Sequence, residues 1–234
     1  MILKITNNCD MGCTHCFHNC LPNGEHMSKE NFYLALEKIK ELNPQVLLVS
    51  GGEPTSHPMF EKYIEEIKKL GIVFSVLSNG EFIEKRPELL DLCLYQITND
   101  DRYYPRKIKK VENKNVVYID KLIKMESLGR AEGKYESNSI APNCYNLRVV
   151  FKNEMNLTKT INFMERTLNK FCSILIDWNG KINIGELGCC ESIGDVSEDL
   201  GMMEYRLFNS KVRNCDSCGK VKLLTKIHMN QLGE

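Results

Sequence analysis

Short apolar runs alternate with stretches of helical spacing along most of this chain, and that alternation constrains the fold more than any other feature. MILKIT (residues 1–6), QVLLVS (45–50), IVFSVLS (72–78) and LCLYQIT (92–98) read as strands, and NVVYI (115–119) and YNLRVVF (145–151) as two more. Continuous apolar runs of this length fit strands covered on both faces. Between them, Ser28 caps a helix reaching about Leu42, with Phe32, Leu36 and Ile39 at helical spacing, and Asn43–Pro44 ends it. A second helix is expected from Pro58 to Leu70, stopped by Gly71, a third over 84–90, and another over 158–168 with Ile161, Met164 and Leu168. The pattern predicts right-handed βαβ units around a parallel sheet, an α/β fold.

Such sheets place ligands at the carboxyl ends of their strands. There the chain carries NNCDMGCTHC, then GGEPTSHP, then Asn79–Gly80, then NDDRYYPRK. The first two of these loops are expected at one mouth. After residue 171 the style changes: SILIDWNGKINIG reads as two short strands about Asn179–Gly180, a hairpin framed by cysteines, with a terminal helix expected over 220–232.

The cysteines say what the mouth is for. The chain has 11 of them. An odd number without a secretory signal argues against a disulfide framework and predicts a cytoplasmic protein. Cys9, Cys13, Cys16 and Cys20 form one group, and Cys172, Cys189, Cys190, Cys215 and Cys218 another, with Cys93 and Cys144 apart. Three thiolates on the loop Cys9–Cys13–Cys16 suit a cubane iron–sulfur cluster with one iron left open, whereas electron-transfer clusters use four cysteines. A structural zinc site completed by Cys20, His15 or His18 is the alternative reading of the spacing. Lys and Arg together number 31, as do Asp and Glu. That balance does not fit a nucleic-acid binder, and no apolar run reaches the roughly 18 residues of a membrane span.

Taken together, Cys9, Cys13 and Cys16 with Gly51, Gly52, Glu53 and Pro54 resemble the radical S-adenosyl-L-methionine (SAM) superfamily. The resemblance implies a partial (β/α)6 TIM-like barrel over residues 1–170. It also implies a SAM-binding [4Fe–4S] cluster and cleavage of SAM to a 5′-deoxyadenosyl radical that abstracts hydrogen from substrate. By the same resemblance His15, with Phe17 beside it, lies near the adenine, and Ser78 and Asn79 match a polar motif around SAM; strand alternation turns Gln96 and Thr98 the same way, as further SAM-site candidates. Arg102 and Arg106, in the loop after the fourth strand, are candidates for holding the SAM carboxylate or an anionic substrate group.

The second cysteine group resembles a SPASM domain, and more closely its shortened twitch form. This predicts a small C-terminal hairpin and helix iron–sulfur domain over 171–234, with one auxiliary [4Fe–4S] cluster on Cys172, Cys190, Cys215 and Cys218. Cys189 is the alternative to its neighbour Cys190. Gly129–Ala131, the triplet GRA, resembles one seen in the same enzymes. Four ligands leave no open iron, which suits an electron acceptor and therefore a two-electron oxidation of substrate. In length and cysteine plan the chain resembles 2-deoxy-scyllo-inosamine dehydrogenase, which points to a small polyol or aminosugar-like substrate. Crosslinking of a ribosomally made peptide is the alternative. Because the first strand begins at residue 2, no N-terminal leader-binding domain is expected. A flavodoxin- or ferredoxin-like one-electron reductant is the expected partner. A non-catalytic metal-binding module is the reading from another class.

Overall fold

The computed structural model describes residues 1–120, 129–131, 134, 174–184 and 192–209. Eight strands among them form one sheet: β1 (Ile2–Lys4), β2 (Val46–Ser50), β3 (Val73–Ser78), β4 (Tyr95–Thr98), β5 (Val116–Ile119), β6 (Ile174–Ile176), β7 (Lys181–Ile184) and β8 (Ser192–Asp195). Their order is β5-β4-β3-β2-β1-β6-β7-β8. Neighbours from β5 through β1 to β6 are parallel, and β6, β7 and β8 are antiparallel. The expected strands 145–151 and helices 158–168 and 220–232 lie outside the described residues.

Helix α1 (Lys29–Leu42) starts as its sequence predicts. The Ser28 hydroxyl accepts from the backbone N–H of Asn31 at 3.1 Å, and Asn43 closes the helix in the left-handed region at φ 46°. α2 (Phe60–Lys68) follows β2, and Gly71 ends that connection at φ 68°. The helix expected over 84–90 is instead two pieces, α3 (Phe82–Lys85) and a 3-10 turn over Pro87–Asp91. Pro87 explains the break: it has no N–H to donate, and it holds Arg86 out of helical geometry at φ −145°, ψ 62°.

One face of the sheet is apolar and packs on these helices. Leu3, Ile5, Leu47, Val49, Val76, Tyr95 and Ile97 form one core with Phe32, Ile39, Tyr63 and Ile64. Phe32 stacks on Tyr63 with ring centroids 3.6 Å apart. The opposite face is polar where strands end: Lys4, Ser50, Ser75, Gln96 and Thr98 alternate with the core residues along the pleat. That polar inner face leads up to the mouth.

The cysteine-framed hairpin forms about Asn179–Gly180, with Gly180 at φ 85°. It does more than append a unit, because β6 adds to the free edge of β1 (Ile2↔Leu175, Leu3↔Ile176). One step further along, buried Lys4 places its Nζ 2.9 Å from Asp177 Oδ1, which also accepts from the Trp178 N–H at 2.9 Å. A one-residue slip would reverse every side chain of so short a strand, so this ion pair helps fix its register. Lys4→Ala should destabilise the fold by about 3 kcal/mol, because it leaves the carboxylate uncompensated. The double variant Lys4→Met/Asp177→Leu should recover most of that loss in urea unfolding. Equal loss in both variants would show that the pair itself is not what matters. Neither β8 nor helix α4 (Leu200–Asn209) was foreseen from sequence. Arg206 of α4 pairs with Glu198, and Met203 packs on Gly194 of β8.

Candidate functional site

The loop between β1 and α1 carries Cys9, Cys13 and Cys16 and folds back under the exit of β2. Its backbone is tied by Asn7 N–H to Glu25 O (2.7 Å), Cys9 N–H to Leu21 O (3.0 Å) and Cys16 N–H to Cys13 O (3.3 Å). Gly12 supplies a left-handed turn at φ 70°. Cys9 and Cys13 are buried and Cys16 half-buried, around buried Met11 and against Tyr104.

The two glycines of SGGEP have a reason that the sequence did not give. They bring backbone against backbone. Gly51 sits at φ 149°, and a Cβ there would lie 2.4 Å from Thr6 O; a Cβ on Gly52 would lie 2.1 Å from Asn8 O. The approach lets Gly52 N–H donate to Thr6 O and Glu53 N–H donate to Asn8 O, both at 2.8 Å. The second strand's exit is thereby welded to the loop that holds the thiols.

Glu53 extends the weld to β3. Its buried carboxylate accepts from Thr55 N–H (3.2 Å), Thr55 Oγ1 (2.6 Å), Ser78 Oγ (2.9 Å) and Asn79 N–H (2.8 Å). Burial pushes its pKa up, and these four donors pull it back. Asn79 in turn directs Nδ2 at Cys9 Sγ, 3.8 Å away. The loops after β1 and β2 and the exit of β3 thus meet, and the bonds between them join Cys9, Gly51, Gly52, Glu53, Ser78 and Asn79. The Ser78 hydroxyl donates to Glu53 and accepts from Gly80 N–H at 3.0 Å. Gln96 donates to Ser75 Oγ at 2.8 Å, and Thr98 accepts from Tyr104 at 2.9 Å, both on the polar face.

His15 is buried, and its ring lies 4.8 Å from Tyr104, 5.4 Å from Tyr103 and 6.4 Å from Phe17. Burial depresses its pKa, and its Nδ1 has no hydrogen-bond partner. Tyr103 and Tyr104 went unremarked in sequence, where the only signal was an aromatic pair inside a charged loop. Arg102 grips Asp100 through Nε (2.9 Å) and Nη2 (2.6 Å) at the edge of a cleft of about 460 Å³. Arg106 bridges Glu81 (2.9 Å) and Asp10 (3.5 Å), joining the third and fourth mouth loops to the first.

The thiols differ. Burial raises Cys9 to about 11 and Cys13 to about 12, while a hydrogen bond from Cys20 lowers Cys16 to about 5. Cys20 is fully buried, and its thiol is spent on Cys16, on Asn7 Oδ1 (3.1 Å) and on Gly51 O (3.9 Å). His18 sits within the fields of Lys4 and Asp177, and burial lowers it to about 3. Among the described residues no three His, Cys, Asp or Glu side chains converge on one ion. A cubane cluster asks less convergence than zinc, since each thiolate binds a different iron. Cys172, Cys189, Cys190, Cys215 and Cys218 lie outside the described residues, as does Cys144. Cys93 is half-buried against the core.

The Radical SAM superfamily description matches residues 3–113, which take in all three thiols and the Gly-Gly-Glu-Pro turn. Residues 3–113 match a radical SAM domain. The chain is 31% identical over 81 residues to the S-adenosylmethionine-dependent nucleotide dehydratase of Thermoplasmatales archaeon (strain ISO4-H5), covering 35% of this chain and 29% of that protein. It is 29% identical over 97 residues to the tungsten-containing aldehyde ferredoxin oxidoreductase cofactor-modifying protein of Pyrococcus furiosus, covering 39% and 27%. The matches therefore span less than a third of either relative. The structure of BtrN in complex with AdoMet and 2-DOIA superimposes with a TM-score of 0.59 at 13% identity, over 98% of this chain and 88% of that one. At that identity the likeness speaks for the fold. The radical SAM domain accordingly carries the α/β architecture expected from the alternating pattern.

Proposed function

We propose that this chain is a radical SAM oxidoreductase with Cys9, Cys13 and Cys16 as ligands of a [4Fe–4S] cluster. The observation that carries the reading is the joining of the thiol loop, the Gly-Gly-Glu-Pro turn and Asn79 at one mouth. Bound there, a cluster with one open iron supplies the electron that cleaves SAM to a 5′-deoxyadenosyl radical, which takes hydrogen from substrate. The protein's own part is placement. Glu53, held by four donors, keeps the turn rigid beside the thiols. His15, Tyr103 and Tyr104 form an aromatic wall that shields the reaction from water. The polar inner face (Ser75, Gln96, Thr98) offers hydroxyl and amide partners to a small polyol or aminosugar-like substrate.

The division at residue 170 and the auxiliary [4Fe–4S] cluster on Cys172, Cys190, Cys215 and Cys218 belong to the same proposal, with that cluster taking the second electron. So do a flavodoxin- or ferredoxin-like reductant and a cytoplasmic setting. No helix among the described residues is long and apolar enough to cross a membrane. The first relative's name supports SAM-dependent chemistry, and matches over 35% and 39% of this chain do not choose a substrate.

Anaerobic reconstitution should give about eight irons per chain, four for each cluster. Reduction in the presence of SAM should release 5′-deoxyadenosine. SAM left intact under those conditions would overturn the reading, and about four irons would remove only its auxiliary part. Deuterated polyol and peptide substrates then compete directly: deuterium recovered in 5′-deoxyadenosine identifies the class.

A further inference from the structure

We infer that Arg130 is a positioning residue for the first cluster: its guanidinium donates to the cluster's sulfur on the Cys16 side and raises its reduction potential. The inference rests on the proposed assignment of Cys9, Cys13 and Cys16 as cluster ligands.

Arg130 lies more than a hundred residues from the thiol loop in sequence, yet its backbone N–H donates to Cys16 O at 2.9 Å. It belongs to the 3-10 turn Gly129–Ala131, where Ala131 is fully buried and accepts from Lys134 N–H at 3.0 Å. The root of the side chain is therefore fixed beside Cys16. Its Nε is buried without a hydrogen-bond partner. An unmet buried donor costs about 1–3 kcal/mol, and more on a charged group, so such atoms need an explanation. Among the described residues only one other side-chain nitrogen or oxygen is buried and unpartnered, Nδ1 of His15. The two residues flank Cys16, one by sequence and one through its carbonyl. Their coincidence points to an acceptor that belongs at Cys16, and thiolate and sulfide sulfur are acceptors of that kind.

Charge agrees with geometry. The side chain that starts beside Cys16 carries a permanent positive charge. One-electron reduction adds a negative charge to the cluster, so a fixed cation and a sulfur hydrogen bond stabilise the reduced state more than the oxidised one. Removing them should shift the potential downward and make the first electron harder to deliver.

The test is a redox titration of the reconstituted full chain without SAM, followed by electron paramagnetic resonance. The signal read is the one that changes shape when SAM is later added, which separates the first cluster from any auxiliary one. Arg130→Gln, with iron content equal to wild type, should titrate at a more negative potential. Arg130→Lys keeps the charge and loses the Nε donor, so it should fall between. An unchanged potential in both overturns the inference. So does an unchanged potential with weakened SAM binding, which would give Arg130 to the SAM carboxylate instead. If Arg130→Gln takes up too little iron, Arg130→Lys decides alone, and a wild-type potential there overturns it. A wild-type chain that assembles no cluster would sink the underlying assignment rather than the role of Arg130.

Discussion

Cys13→Ala should leave a folded chain that no longer releases 5′-deoxyadenosine from SAM. The turn that presents Cys13 is built from backbone, through the Cys16 N–H to Cys13 O bond and the left-handed Gly12, and alanine keeps both. The loop is pinned at its base by Asn7 and Cys9 N–H groups that the substitution does not touch. Stability should therefore change by about 1 kcal/mol or less. Two thiolates cannot hold a cluster that needs three, so SAM-dependent chemistry should end while the unfolding midpoint barely moves. Cys20→Ala is the contrasting variant. Its thiol serves Asn7, Gly51 and Cys16 beneath the loop, so the expected cost is about 1 kcal/mol with SAM cleavage retained. If both variants abolish cleavage, the division of these thiols into three ligands and one brace is wrong.

Glu53→Ala should be the most destabilising single change at the mouth, by about 3–5 kcal/mol in urea unfolding. It strands the donors of Thr55, Ser78 and Asn79 in a buried site. The loss should come with poor iron uptake, because Asn79 then loses the bond that fixes its backbone beside Cys9. Glu53→Gln keeps the shape and one oxygen but turns an amide N–H₂ toward other donors, so an intermediate loss is expected. A Glu53→Ala chain with wild-type midpoint and iron content would mean that the carboxylate does not brace the three loops.

Some of this was legible early because local rules carried it. The cap at Ser28, the stop at Asn43 and the hairpin at Asn179–Gly180 each depend on a few adjacent residues. The third helix failed for a local reason that was also visible: Pro87 lies inside the predicted span, and its missing N–H splits the segment. Strand β8 and helix α4 escaped because SIGD is short and its pairing with β7 is a tertiary choice. At the site, the spacing of Cys9, Cys13 and Cys16 and the Gly-Gly-Glu-Pro turn could be read together. The work of the glycines could not, since it depends on how closely two backbones approach.

The sequence by itself determined the alternation of strand and helix, the thiol triplet and the turn that accompanies it, because each is written in neighbouring residues with a fixed period or spacing. Only the tertiary structure decided which polar groups answer one another. Lys4 meets Asp177 across 173 positions, Arg130 meets Cys16, and Glu53 gathers donors from two loops. These partners are far apart along the chain. They become neighbours only when burial of the common apolar face closes the sheet, and burial is also what makes a missing partner expensive.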